Sequence, residues 1–187
     1  MDIGIYALAA RLRDELAAQL DATRAGAPCF AVVHPGNMAP AYGCECGTGE
    51  GMAWVRVVDI GTSVNYPQQH GAPIGRNDAV VATLVLELGT YRCYPNTEDN
   101  SIPPLAYLDS AARDAIDDAA AMRRAARCAF TKAEQPIVGN WRPHGPQGGV
   151  HGGVMTVTVL ADVNCPCDVE PPQLDEVVAP LEGDPRF

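Results

Sequence analysis

The chain has 187 residues, a formal net charge of −10 and 47% hydrophobic residues, which suits one domain with an ordinary buried core. An acidic surface lacks the cationic footprint that phosphate neutralisation requires, which argues against a sequence-reading DNA binder, although a wall that DNA slides past gains from repelling it. The opening residues, MDIGIYALAARLRDEL, mix acids and arginines into their apolar pattern, unlike a secretory leader, and no apolar run approaches a bilayer span, so a soluble protein made inside the cell is expected.

Residues 2–22 read as an amphipathic helix. Ile5, Leu8, Leu12, Leu16 and Leu20 recur at spacings of three and four, with Arg11, Arg13, Asp14 and Glu15 off the stripe, Asp2 as N-cap and Gly26 as a stop. A short strand, 29–34 (CFAVVH), comes next and closes at Pro35-Gly36. After a glycine-rich segment, 42–51, the alternation of 52–59 (MAWVRVVD) predicts a strand with Ala53, Val55 and Val57 on one face and Met52, Trp54, Arg56 and Val58 on the other. Residues 60–78 read as a long polar loop, a length usually reserved for function or motion.

The run 79–93 predicts the longest strand, with Val80, Ala82, Leu84, Leu86 and Leu88 on its apolar face and Val81, Thr83, Val85 and Glu87 on a half-apolar one. A sheet packed on helices by one face and only partly polar on the other suits either an oligomer or a subunit that covers both faces itself. Pro103-Pro104 opens a helix over 104–130, with a break available at Asp109-Ser110. Its apolar stripe is read as Leu105, Leu108, Ala112, Ile116, Ala119, Met122, Ala126 and Phe130, with Pro136 as terminator. The order of Asp114, Asp117 and Asp118 before Arg123, Arg124 and Arg127 suits the helix macrodipole. Segments 137–142 and 154–162 then predict a hairpin whose loop is PHGPQGGVHGG. Residues 163–187 hold five prolines, six acids and the single basic residue Arg186, the composition of an extended arm. The domain division is therefore 1–162 and 163–187, and the fold class is α+β: a mixed or antiparallel sheet flanked by an N-terminal helix and a long second helix.

Chemistry-bearing residues are few. Seven cysteines leave at least one unpaired within the chain, and without a leader the expectation is mostly reduced, buried thiols. Cys44/Cys46 and Cys165/Cys167 could hold tetrahedral zinc, but the Cys-x-Cys spacing is tighter than structural zinc sites favour; disulfides and free thiols stay open beside it. Cys93 and Cys128 are candidate nucleophiles, more simply packing thiols. His34, His70, His144 and His151 lie in or beside turns and outside any metalloprotease frame. The glycines of 145–153 lack the Lys-Ser/Thr ending of a phosphate-binding loop and read as hairpin loop. Asp117-Asp118 reads as a solvated helix face. No catalytic residue, metal site or cofactor site is assigned.

Four segments carry a resemblance: CECGTGEGMAWVRVV (44–58), LELGTYRCYP (86–95), DDAAAMRRAARC (117–128) and NWRPHGPQGGVHGGVMTVTV (140–159). With the element order, they resemble the tail-terminator (tail-completion) proteins of long-tailed bacteriophages, in particular neck proteins of actinobacterial phages, over residues 2–162. The resemblance implies a virion structural protein without enzymatic activity. It would form a ring, often a hexamer, at the head-proximal end of the tail tube, made in the host cytoplasm and ending in the virion. Its partners would be copies of itself, the major tail tube protein and a head-to-tail stopper or connector, with genomic DNA passing through the lumen unread. Another connector ring, stopper or adaptor, and a zinc-stabilised binding module on Cys44/Cys46/Cys165/Cys167 are the alternative readings.

Overall fold

The computed structural model describes residues 4–37, 39, 45–46, 49–69, 81–97, 101–147 and 149–161. Helix α1 (Ile5–Asp21) leads to strand β1 (Phe30–His34), the short pair β2 (Glu45–Cys46) and β3 (Gly49–Glu50), and the long strands β4 (Met52–Ser63) and β5 (Val81–Cys93). Helix α2 (Leu105–Cys128), a 3₁₀ turn (Lys132–Glu134), β6 (Ile137–Val138), β7 (Arg142–Gln147) and β8 (Val150–Ala161) complete the described fold. The main sheet runs β1-β4-β5-β8-β6, with β7 also on β8; β1 lies parallel to β4, and the other pairings are antiparallel. The architecture is α+β, two helices on a mixed sheet, as the alternation and periodicity predict.

Both helices share one core with one face of the sheet. Leu12, Leu16 and Leu20 of α1 are fully buried with Ala53 and Val55 of β4, Leu84, Leu86 and Leu88 of β5, and Met155, Val157 and Val159 of β8. The expected parity of β4 and β5 therefore holds. Each fully buried aliphatic side chain contributes roughly 1.5–3 kcal/mol, so this leucine layer is the main source of cohesion. On the opposite face a second cluster joins Ala39, Met52, Trp54, Tyr91 and Val150, with the Trp54 and Tyr91 rings 4.5 Å apart. The helix-free face thus supplies part of its own cover. The Tyr66 hydroxyl lies within hydrogen-bond reach of the carbonyl oxygens of Gln135 (2.6 Å) and Thr158 (2.8 Å), sharing its one donor between them and tying the residues after β4 to β8.

Several boundaries differ from the sequence reading. Helix α1 starts at Ile5 with Gly4 as N-cap, and Asp2 lies outside the described residues. Strand β4 continues to Ser63, carried past Asp59 by a bulge at Val58 that shifts the register from Val57↔Leu86 to Asp59↔Val85. Helix α2 runs unbroken and ends at Cys128, with the 3₁₀ turn and a left-handed Gln135 (φ 45°) between it and Pro136. The arm 163–187 lies outside the described residues, as do 70–78 of the expected polar loop and 79–80 of the expected third strand.

The larger correction concerns the glycine segment, which is strand instead of loop: β8 begins at Val150 and pairs with β5 as far as Val150↔Cys93. A Cβ on Gly152 would sit 1.9 Å from the Thr90 carbonyl oxygen, and one on Gly153 would sit 2.2 Å from the Trp141 indole nitrogen. These glycines let neighbouring groups close onto the strand, a use of glycine distinct from turning the chain.

Candidate functional site

The most constrained polar group in the described fold is an ion pair. Arg92, near the end of β5, and Asp118, midway along α2, have side chains only 2% and 1% exposed. The guanidinium grips the carboxylate with two bonds, Nε to Oδ2 at 2.8 Å and one terminal nitrogen to Oδ1 at 3.0 Å. It also donates to the carbonyls of Glu50 (2.8 Å) and Gly26 (3.0 Å). One side chain thereby fixes β5, α2, β3 and the connection after α1 to each other. The rigid planar donor fork of arginine makes this possible, and no point charge could do the same.

Asp118 is therefore not on a solvated face, whereas its neighbour Asp117 is exposed. The signal lay in the register. Positions 118, 121, 122, 125, 126 and 129 form a buried stripe of small residues around Met122, and Asp118 continues that stripe toward the start of the helix. The expected stripe is buried at Met122, Ala126 and Phe130 but emerges earlier: Leu105 is 77% exposed and Ile116 66%.

Above the ion pair lies a cleft of 380 Å³, bounded by Glu50, Tyr94, Asn96, Tyr107, Asp114 and His151. Its ionisable groups already have internal partners. Glu50 Oε1 accepts a bond from the Cys93 backbone N–H at 3.0 Å, and Asp114 accepts from Arg24 at 2.8 Å. The Asp114 carboxylate in turn raises the pKa of Arg24. Burial pushes the pKa of His151 down, against the pull of Glu50, Asp118 and Asp114, and its ring meets Tyr94 edge-on at 5.9 Å. Cys93, at the wall, is disulfide-bonded and so is not available as a nucleophile.

The cysteine expectation is overturned more broadly. Cys29 is joined to Cys46 by a 2.05 Å S–S bond that ties the start of β1 to β2. The bond forms because the parallel pairing of β1 with β4, and the return through β2 and β3, bring two residues 17 apart in sequence to a Cα–Cα distance of 5.8 Å. Cys46 is thus not a thiolate awaiting zinc, and Cys44, Cys165 and Cys167 lie outside the described residues. Cys128 is a free thiol, exposed instead of packed. Among the described residues no cluster of His, Cys, Asp and Glu is arranged to hold a metal.

The histidines do not converge. His34 Nδ1 accepts a bond from the Gly36 N–H at 3.0 Å, His144 packs 5.4 Å from the Tyr91 ring, His151 lines the cleft, and His70 lies outside the described residues.

Three surfaces stand out from the otherwise satisfied exterior. The first is apolar, on the N-terminal half of α2 and the residues before it: Leu105 and Ile116 share one helix face, Ile102 precedes the helix, and Tyr107 lies on the other side, in the wall of the 380 Å³ cleft. The second set of exposed apolar residues lies at the far end of the β4–β5 pair: Ile60 on the face it shares with Leu84, Val81 on the other face, with Val58 at the bulge and Val64 just past β4. The third is a cleft of 540 Å³ where Arg123, Arg127 and Lys132 surround Phe130, Pro136 and Val138. Sequence reasoning placed Leu105 and Ile116 on the apolar stripe of α2 and Val81 on a half-apolar face suited to an oligomer, but singled out neither Ile102 and Tyr107 nor the third cleft. Compared with known proteins, the sequence matches no family profile, and no curated protein is significantly similar to it.

Proposed function

We propose that this protein is a structural subunit of a ring at the head-proximal end of a long-tailed phage tail tube, ending tube growth and joining tail to head. The observation that carries the reading is the apolar stripe of α2, whose Leu105 and Ile116 are 77% and 66% exposed on a helix otherwise anchored to the core. A stripe of that kind favours a protein partner.

The second apolar patch supports a ring in particular. Val81 begins β5, whereas Tyr107 of α2 lines the cleft beside Cys93 and Tyr94 at the strand's other end, so these two exposed apolar side chains are separated by about the length of a strand, roughly 40 Å at 3.3 Å per residue. Two different patches at opposite ends of one subunit suit heterologous, head-to-tail contacts, which close into rings. The net charge of −10 suits a lumen that DNA crosses without adhering. Disulfide bonds, which persist on virion and cell surfaces but seldom in cytosol, suit a particle released from its host. The expected neighbours are copies of itself, the major tail tube protein and a head-side stopper.

Deleting the gene from its phage tests the assignment. Filled heads beside separate tails of abnormal length are the expected outcome. Tails of normal length that fail to join leaking heads would move the protein to a stopper or adaptor ring, and normal particles would overturn the structural role.

A further inference from the structure

Most of the basic residues in this acidic chain have a partner or lie apart, but three converge. Arg123 and Arg127 project one turn apart from the last part of α2, and Lys132 comes after them in the 3₁₀ turn; all three are exposed, and none forms an ion pair among the described residues. They rim the 540 Å³ cleft floored by Phe130, Pro136 and Val138, and no carboxylate is among the described residues lining it. Glu134, the nearby acid, is occupied by Arg11 at 2.5 Å and by the Thr131 N–H at 2.6 Å. Burial alone would raise its pKa, but those bonds outweigh it and hold the carboxyl below its usual range. The cleft therefore offers uncompensated positive charge around an apolar floor.

The ladder places the exit of the described chain beside it. Ile137 of β6 pairs with Thr158 of β8. Pro136, on the cleft floor, is the next residue toward the 3₁₀ turn, and β8 ends only three residues past Thr158, at Ala161. The sequence beyond Ala161 carries Asp168, Glu170, Asp175, Glu176, Glu182 and Asp184, with Leu174, Val177, Val178 and Leu181 between the acids. Its charge and its apolar content both complement the cleft. Thirteen residues lie between Ala161 and Asp175, and that tether spans up to about 45 Å when extended.

We propose that the acidic segment 163–187 docks in this cleft of its own chain, with the carboxylates around Asp175 and Glu176 against Arg123, Arg127 and Lys132, and Val177 and Val178 toward Phe130 and Pro136. A tether this short supplies a millimolar effective concentration, so modest contacts hold the segment in place. The site is an internal ligand site, independent of whether the protein builds a ring.

Lys132 is the only lysine in the chain, which makes zero-length carbodiimide coupling of the full-length protein a specific test. Digestion and mass spectrometry should find Lys132 joined to a peptide containing Asp175 and Glu176. That product should be lost at molar salt, where the Debye length is about 3 Å, and in an Arg123→Gln/Arg127→Gln variant with unchanged circular dichroism. Coupling of Lys132 only to Glu134 or other acids of the described fold would overturn the proposal, as would an arm product indifferent to both salt and substitution. With a mixture of isotope-labelled and unlabelled chains, coupling within one chain is expected; a mixed product would assign the cleft to a second copy's segment and overturn the intramolecular site.

Discussion

Arg92 and Asp118 balance each other's charge in the interior, with side chains 2% and 1% exposed. Removing one charge strands the other in the interior, so Asp118→Asn should cost about 3–5 kcal/mol. Replacing both, as Arg92→Met with Asp118→Leu, should cost markedly less, since the burial penalty disappears with the charges. Urea unfolding midpoints of the three proteins check this, and equal losses in the single and double variants would mean that the pair's backbone contacts matter more than its charge. His151 makes a second prediction at this scale. Its folded pKa lies below the ordinary 6.5 because burial disfavours the imidazolium. Between the folded and unfolded values the unfolded chain binds the extra proton. Stability should therefore be full above about pH 7 and fall as acid carries the solution below the ordinary imidazole value. His151→Gln, which cannot take up the proton, should flatten that part of the curve of unfolding midpoint against pH; an unchanged slope would assign it to other groups.

At the level of elements, the sequence was legible wherever one periodicity had no competitor. The leucines of α1 and the alternation of β4 and β5 each allow one face to be buried, and that face is buried. Helix α2 was not legible in this way, because its alanines supply two overlapping stripes. The one that packs is chosen by α1 and β8, which local pattern does not contain. Asp118 was misassigned for the same reason: its partner Arg92 is 26 residues away. The glycines of β8 had no local signal either, since what excludes a side chain there is Thr90 and Trp141. Gly152→Ala should accordingly behave as overpacking and cost about 1–3 kcal/mol or more, read as a drop in thermal midpoint. An alanine tolerated there without loss would contradict the strand pairing. The candidate surfaces were legible in part: the stripe of α2 stood out as apolar, but the arginines beyond it registered only as helix-end charge.

For the whole molecule, the two apolar patches make a prediction about assembly that neither makes alone. If subunits meet head to tail, Ile116→Asp and Val64→Asp should each block the ring while leaving the fold intact. Mixing the two variants should restore one good contact per pair and yield dimers by sedimentation or light scattering. Dimers from the Val64→Asp variant alone would instead indicate that the α2 stripe pairs with itself.

Strand β8 holds β5 along one side and β6 and β7 along the other, yet it is the last strand the ribosome makes within the described fold. The centre of the sheet is thus completed at the end of its synthesis. At 5–20 residues per second, the nearly sixty residues from Tyr94 to Val150 take about 3–12 s. During that time β5 carries its full row of leucines and an open backbone edge, the arrangement that invites pairing with another chain. A ribosome stalled before residue 150 would leave that edge permanently unfilled. The timing of translation, as much as the contacts of the finished fold, decides whether this chain reaches its sheet or another molecule's.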